Sequence, residues 1–347
     1  MKKNLLFLSS ALVLAACGTT SGGEVSEEAS STATAIPAAV SDSTSTASKE
    51  TVIAPVEEPT PQSDVSREFK NAVGSAEDYL NYSSFSKQGL YDQLLYEGFP
   101  EDAAQYAIDS VVTDWNQNAL QTAVDYLDYS SFSYPGLYDQ LVYEGYTAEQ
   151  AQYAVDNVVT DWNQNALQTA VDYLDYSSFS YPGLYDQLVY EGYTAEQAQY
   201  AVDNVVTDWN QNALQTAVDY LDYSSFSYPG LYDQLVYEGY TAEQAQYAVD
   251  NVVTDWNQNA LQTAVDYLDY SSFSYPGLYD QLVYEGYTAE QAQYAVDNVV
   301  TDWNQNALQT AIDYLEYSSF SDQGLYDQLI YEGYTAEQAQ YAISNLP

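Results

Sequence analysis

The stretch from Asp114 to Thr160, DWNQNALQTAVDYLDYSSFSYPGLYDQLVYEGYTAEQAQYAVDNVVT, recurs without one change from Asp161, Asp208 and Asp255. A looser copy runs from Arg67 to Thr113, and another from Asp302 to Pro347. A fixed period of this kind marks a repeat array, in which each unit is one supersecondary element supported by its neighbours. Whatever the chain does, it does with copies of one module. The divisions are 67–113, 114–160, 161–207, 208–254, 255–301 and 302–347, preceded by 1–16 and 17–66, which differ in composition.

Apolar spacing within a unit predicts three helices. The first spans about Trp115 to Tyr129, with Leu120, Ala123, Val124 and Leu127 on one stripe. Asp114 stands where an N-cap belongs. Ser130 to Ser133 break the helix, and Phe132 turns back to the core. A second, short helix runs from about Pro135 to Glu144, capped by Ser133 or Tyr134, because proline fits only a first turn. Its inner side is Leu137, Tyr138, Leu141 and Val142, and Gly145 ends it in the left-handed conformation. Thr147 and Gln150 form a capping box for the third helix, with Tyr146 and Ala151 as a hydrophobic staple. Ala151, Ala154, Val155 and Val158 continue the stripe. The fold class is therefore all-α: a tandem array of six three-helix, helix-turn-helix-like units after a disordered linker.

A unit this small sits near the lower limit for folding alone, so its neighbours are expected to help. The tryptophans fit that need. Trp115, Trp162, Trp209, Trp256 and Trp303 supply one for each junction between six units, and Glu68 holds the equivalent place in the first unit. Each is expected to pack at the seam, against Val158 and Val159 or their equivalents in the preceding unit; the competing reading puts it in its own unit's core. Either a break at Asp161 or one long helix from Thr147 to Leu174 fits the junction. Lys87-Gln88 and Asp322-Gln323 replace Tyr134-Pro135 in the outer units, which suggests that this pair is exposed. Tyr126, Tyr138 and Tyr153 are expected in the core, and Tyr129, Tyr134, Tyr143 and Tyr146 partly exposed.

Charge narrows the function classes. The chain carries 51 acids, 6 bases and no histidine, a formal net charge of −45. No Lys or Arg follows Lys87. Such a surface repels phosphate, so nucleic acid is excluded as a partner. The third helix carries Glu149 and Asp156 where a DNA reader needs Arg or Lys. An anionic membrane surface is repelled too. A basic protein segment is attracted, most strongly at low salt. Crowding of like charges predicts carboxyl pKa values raised by mutual repulsion.

The start of the chain supplies the membrane link. Lys2 and Lys3 precede an apolar run from Leu5 to Leu14 that is too short to span a bilayer. Leu14-Ala15-Ala16-Cys17 then resembles the bacterial lipobox. Residues 1–16 are read as a lipoprotein signal peptide, Cys17 as the lipidated residue, and 17–66, rich in Ser, Thr, Ala and Pro, as a disordered tether. An anchor of this kind tethers without threading, on the extracellular face of the cell membrane.

Nothing points to catalysis: the units contain no His, no thiol and no phosphate loop. Neither a cofactor nor a metal ion is expected. Asp125 and Asp128 place two carboxylates on one helix face near its C-terminus, where both oppose the macrodipole. Three readings stay open: a solvated face, a docking surface for a basic partner, and a divalent-cation site, which lacks any EF-hand-like loop. The candidate contact residues are Asp125, Asp128, Asp139 and Glu144, with their copies Asp172, Asp175, Asp186, Glu191, Asp219, Asp222, Asp266 and Asp269. Exposed tyrosines offer a second kind of contact, multiplied by repetition.

The run SSFSKQGLYDQLLYEGFPEDAAQYAID from Ser83 to Asp109, followed by DWNQNAL, resembles the Ltp-type module of host cell surface-exposed lipoproteins. The likeness covers about residues 70–347, together with the lipobox and tether. It implies a helix-turn-helix-like module that does not bind DNA. It also implies a prophage-linked role: blocking DNA injection by an incoming phage, or superinfection exclusion. A basic segment of the phage tail or injection apparatus is the partner this implies. The chain departs from familiar members in having more units and in lacking the lysines that typical modules carry. The competing reading is a Tyr-rich, acidic adhesion or interaction array with no phage role.

Overall fold

A computed structural model describes residues 65–347. Residues 1–16, read above as a signal peptide, Cys17 and all but the last two residues of the 17–66 segment lie outside the described residues. Those described form eighteen helices and no strand. They make an all-α array of six three-helix units.

The second unit represents the interior ones. Its helices are Trp115–Tyr129, Tyr134–Tyr143 and Ala148–Asn157. Asp114 caps the first, its carboxylate accepting from the Asn116 and Gln117 amides at 3.0 and 3.3 Å. Ser130, fully extended, ends it. Ser133 caps the second helix by accepting from the Gly136 amide at 3.1 Å. This settles the choice between Ser133 and Tyr134: the helix starts one residue earlier than the proline suggested, with Pro135 second in its first turn. Glu144 is its C-cap, not its last helical residue. Gly145 follows at φ +88°, which an L side chain rarely adopts. The Tyr146 amide then reaches the Leu141 carbonyl, and the Gly145 amide that of Val142, a complete Schellman motif. Thr147 and Gln150 close the capping box on the third helix.

The junction is a break. Val158 is extended at ψ 134°, and Asp161 caps the next helix from an extended conformation. Three β-branched residues in a row favour that backbone. Asn165 pins it, donating to Thr160 Oγ1 at 2.8 Å and to the Asp161 carbonyl at 3.0 Å.

Each core is small and rich in alanine. Ala119, Ala123, Ala151 and Ala154 are fully buried, so the first and third helices pack closely. Leu137 and Leu141 are the largest fully buried side chains, each worth roughly 1.5–3 kcal/mol of transfer free energy. Close helix packing is confined within units; between units, side chains make the contact.

Four expectations fail. Tyr146 is only 3% exposed, because its hydroxyl bonds Thr122 Oγ1 at 2.7 Å inside the core. Val142 is 42% exposed, on the outer edge of its helix. Val159 is 98% exposed and takes no part in the seam, since the extended backbone turns it out while Val158 turns in. Finally, Tyr153 is only half-buried and lies outside the core, its hydroxyl accepting from Gln117 Nε2 at 2.7 Å. Pro135 is exposed and Tyr134 partly so, as expected, although both touch the next unit.

Candidate interaction surface

The seam places everything else. Trp162, first residue of the third unit's first helix, packs onto the core of the second unit beside Val158. Trp115, Trp209, Trp256 and Trp303 each pack onto the unit before them in the same way. The Tyr134 ring meets the Trp162 indole edge-on, with centroids 5.7 Å apart. Offset or edge-on aromatic pairs add roughly 0.5–1.5 kcal/mol beyond area burial. The Phe132 amide donates to Asn165 Oδ1 at 3.4 Å, and Ser133 Oγ to the Glu191 carbonyl at 2.5 Å. Pro135 lies so close to Gly192 that a Cβ there would stand 2.5 Å from its Cγ. In the first unit Lys87 and Gln88 hold these two places against the same kind of neighbour, with Gln88 beside Gly145 and Trp115 on the core, so the seam also closes without the tyrosine ring.

That frame sorts the acidic candidates. Asp125 and Asp128 are exposed on successive turns of the first helix, as are their copies Asp172, Asp175, Asp219, Asp222, Asp266 and Asp269. Asp125 accepts from Gln121 Nε2 at 2.9 Å, and Asp172 from Gln168 at 2.9 Å, which orients one carboxylate of each pair. Asp139 and Asp186 are exposed on the second helix. The seam brings Asp128 and Asp172 to one shallow groove, with Tyr129 and Ser131 on its wall.

Glu144 and Glu191 differ. The Glu144 carboxylate accepts from the Tyr126 hydroxyl and from Gln140 Nε2, and its carbonyl from Ser86 Oγ of the preceding unit. Glu191 is held likewise by Tyr173, Gln187 and Ser133. These two glutamates hold the architecture together.

Carboxylates and phenols are paired elsewhere as well. Tyr134 donates to Asp156 Oδ1 at 2.5 Å, and Gln152 Nε2 donates to the same oxygen at 3.0 Å. The Tyr134 bond, then the Gln152 bond, hold the Asp156 carboxyl below its ordinary value. Asp203 and Asp297 are lowered in the same way, and Asp109 by Gln105 and then Lys87. At these positions the shift runs opposite to that expected from mutual repulsion: a donated hydrogen bond stabilises the charged form directly, while exposed neighbours are screened. Burial, with the bond to Glu144 second, pushes Tyr126 up to about 12. Burial drives Tyr146 up to about 12, against the Thr122 bond, and the nearby charges of Glu144 and Asp125 add to it.

Tyr129 and Tyr143, at the ends of the first two helices, are 76% and 75% exposed. Beside the aspartates they make a surface that is acidic and aromatic at once. Among the described residues no three His, Cys, Asp or Glu gather as a metal site would require. No helix among them is long and apolar enough to cross a membrane.

The sequence reading missed the Ser133–Glu191 bond and the Pro135–Gly192 contact. Both residue pairs had local explanations, as cap and turn, that concealed a second partner one unit away.

A family model described as host cell surface-exposed lipoprotein matches the chain six times, at residues 67–111, 114–158, 161–205, 208–252, 255–299 and 302–346. The solved structure of Ltp, a superinfection exclusion protein from the Streptococcus thermophilus temperate phage TP-J34, is 33% identical. That match covers 27% of this chain and 99% of the other, with a TM-score of 0.27. No curated protein matches the chain.

Proposed function

The chain belongs to the host cell surface-exposed lipoprotein family, and from that premise we propose that it is a superinfection-exclusion protein. It is held on the extracellular face of the cell membrane through a lipid on Cys17. It acts by binding rather than by chemistry. Its acidic faces engage a basic segment of an incoming phage's DNA-injection apparatus and stall DNA entry.

The observation that carries this reading is the one-signed surface. After Lys87 the chain contains no Lys or Arg, and the aspartates of each first helix point to solvent. Such a field speeds encounter with a cationic partner, and repetition turns weak single contacts into avidity. The contact set is Asp125, Asp128, Asp139 and their copies; Glu144 and Glu191 are already committed within the array.

The test is to express the gene in a phage-sensitive host and score adsorption separately from DNA entry. Adsorption should be unchanged and entry reduced. Changing Asp125, Asp128 and their copies to Asn should restore entry. Entry that is unaffected in every phage tried would sink the proposal. The exposure of Tyr129 and Tyr143 supports a second reading, an adhesive array. Partner binding that survives high salt would favour it, because screening weakens exposed charge contacts.

A further inference from the structure

The seam is heterologous: the trailing face of one unit meets a different, leading face of the next. In a head-to-tail array of this kind the two outermost faces complement each other, and joining them between molecules generates an open filament. The array has a trailing face on its sixth unit and a leading face on its first that no described repeat covers. Both keep the polar half of the seam. The trailing face has Ser321, which is exposed, whereas Ser86, Ser133, Ser180, Ser227 and Ser274 are buried at the five internal seams. The leading face has Asn71 where Asn165 stands, and Glu97 and Gly98 where Glu191 and Gly192 stand. Gly98 has nothing within 4 Å of an added Cβ, so its side of the joint is open.

The aromatic half is missing, and on both sides. Asp322 occupies the Tyr134 position and Glu68 the Trp162 position; both are exposed. At four internal seams that pair is a tyrosine edge-on to a tryptophan, with centroids 5.6 to 5.7 Å apart. If a second copy docked end to end, Asp322 would stand against Glu68 in place of two rings.

The sixth unit is altered in step with this. Ser344 replaces the aspartate that Tyr134 bonds in the second unit, which removes an acid that Asp322 would otherwise face. Ile343 and Leu346 stand at the Val155 and Val158 positions and pack on the sixth core. We propose that Asp322 and Glu68 are a matched pair of end blocks, which keep this chain from joining head to tail with a second copy of itself. Removing an attractive contact and opposing like charges are the two usual means of such discrimination.

The test compares full chains carrying Cys17→Ser, all in the same mild detergent, by sedimentation velocity over a wide concentration range. An ionic strength of about 1 M, where the screening length is about 3 Å, keeps net charge from holding copies apart. The parent should remain monomeric. With Glu68→Trp and Asp322→Tyr together, average mass should rise with concentration past about twice the monomer, since an open joint does not stop at dimers. Helical circular dichroism identical to the parent's shows that the variant is folded. Should it not be, Asp322→Lys alone decides: set against Glu68, it should associate at moderate salt and dissociate as salt rises. Substituted chains that sediment like the parent, whether all monomeric or all associated, would overturn the proposal.

Discussion

Ser133 Oγ donates to the Glu191 carbonyl, 58 positions further along the chain, while accepting from the amide of Gly136 in its own helix. A serine hydroxyl has one proton and two lone pairs, so it can serve both partners at once. One atom thus caps a helix in one unit and satisfies the end of a helix in the next. Ser86, Ser180, Ser227 and Ser274 do the same.

Ser133→Ala should therefore cost more than Ser321→Ala. Both lose a cap, worth about 0.5–2 kcal/mol. Only the first also strands a carbonyl at a closed seam, at a further ~1–3 kcal/mol. Denaturant unfolding of the two variants checks the difference; equal losses would show that the seam bond contributes nothing.

Gly192→Ala and Gly98→Ala form a second matched pair. Both place an L side chain at positive φ, +91° and +92°, at roughly 1–2 kcal/mol. At Gly192 the new methyl also collides with Pro135, while at Gly98 it meets open space. Gly192→Ala should be the more damaging, and Pro135→Ala should recover part of the excess. Melting temperatures of the three variants test this, and no recovery would argue against the contact.

Trp162→Ala should weaken the unit before it more than its own. The indole lies on the core that contains Leu137 and Leu141, and such truncations cost roughly 3–5 kcal/mol. Hydrogen exchange should show protection falling mainly across residues 114–160. A fall centred on residues 161–207 would return the tryptophan to its own unit.

Acid and alkali should destabilise the array through different groups. The Asp156 carboxyl is lowered from 3.8, so its contribution is whole above that value and fades as pH falls through the folded one. Tyr126 and Tyr146 are raised from 10.0 to about 12, so theirs is whole below pH 10 and is lost as pH climbs toward about 12. Melting temperature against pH should hold level between these limits and fall outside them. Changing Tyr146 and its copies to Phe, the residue already present as Phe99, should flatten the alkaline fall. An unchanged alkaline limb would rule the buried phenols out as its cause.

What was legible in the sequence was local. Asp114, the Thr147–Gln150 box and Gly145 are set by bonds spanning a few residues, and three helices follow from them. The periodicity that marked Val142 as buried cannot see how far a short helix turns its flank to water. Nor could it show that Tyr146, a residue with a polar tip, finds Thr122 inside the core. The seam was legible only through Trp162. Its remaining parts are second bonds of residues with evident first roles, and the replacement of Tyr134-Pro135 in the outer units pointed only to its exposure, not to the contacts it makes with Trp162 and Gly192. Of the candidate contact surface, the exposure of the aspartates followed from charge; the internal use of Glu144 needed Tyr126 to be placed beside it.

The extended link around Val158 and Asp161, with its one tryptophan plug, has an evolutionary consequence. Every interior joint accepts the same plug, so a duplication or deletion of one whole block leaves each surviving joint fitted. The length of the array is then free to drift as whole repeats are gained or lost, and reach from the cell surface can change without any new packing having to be invented.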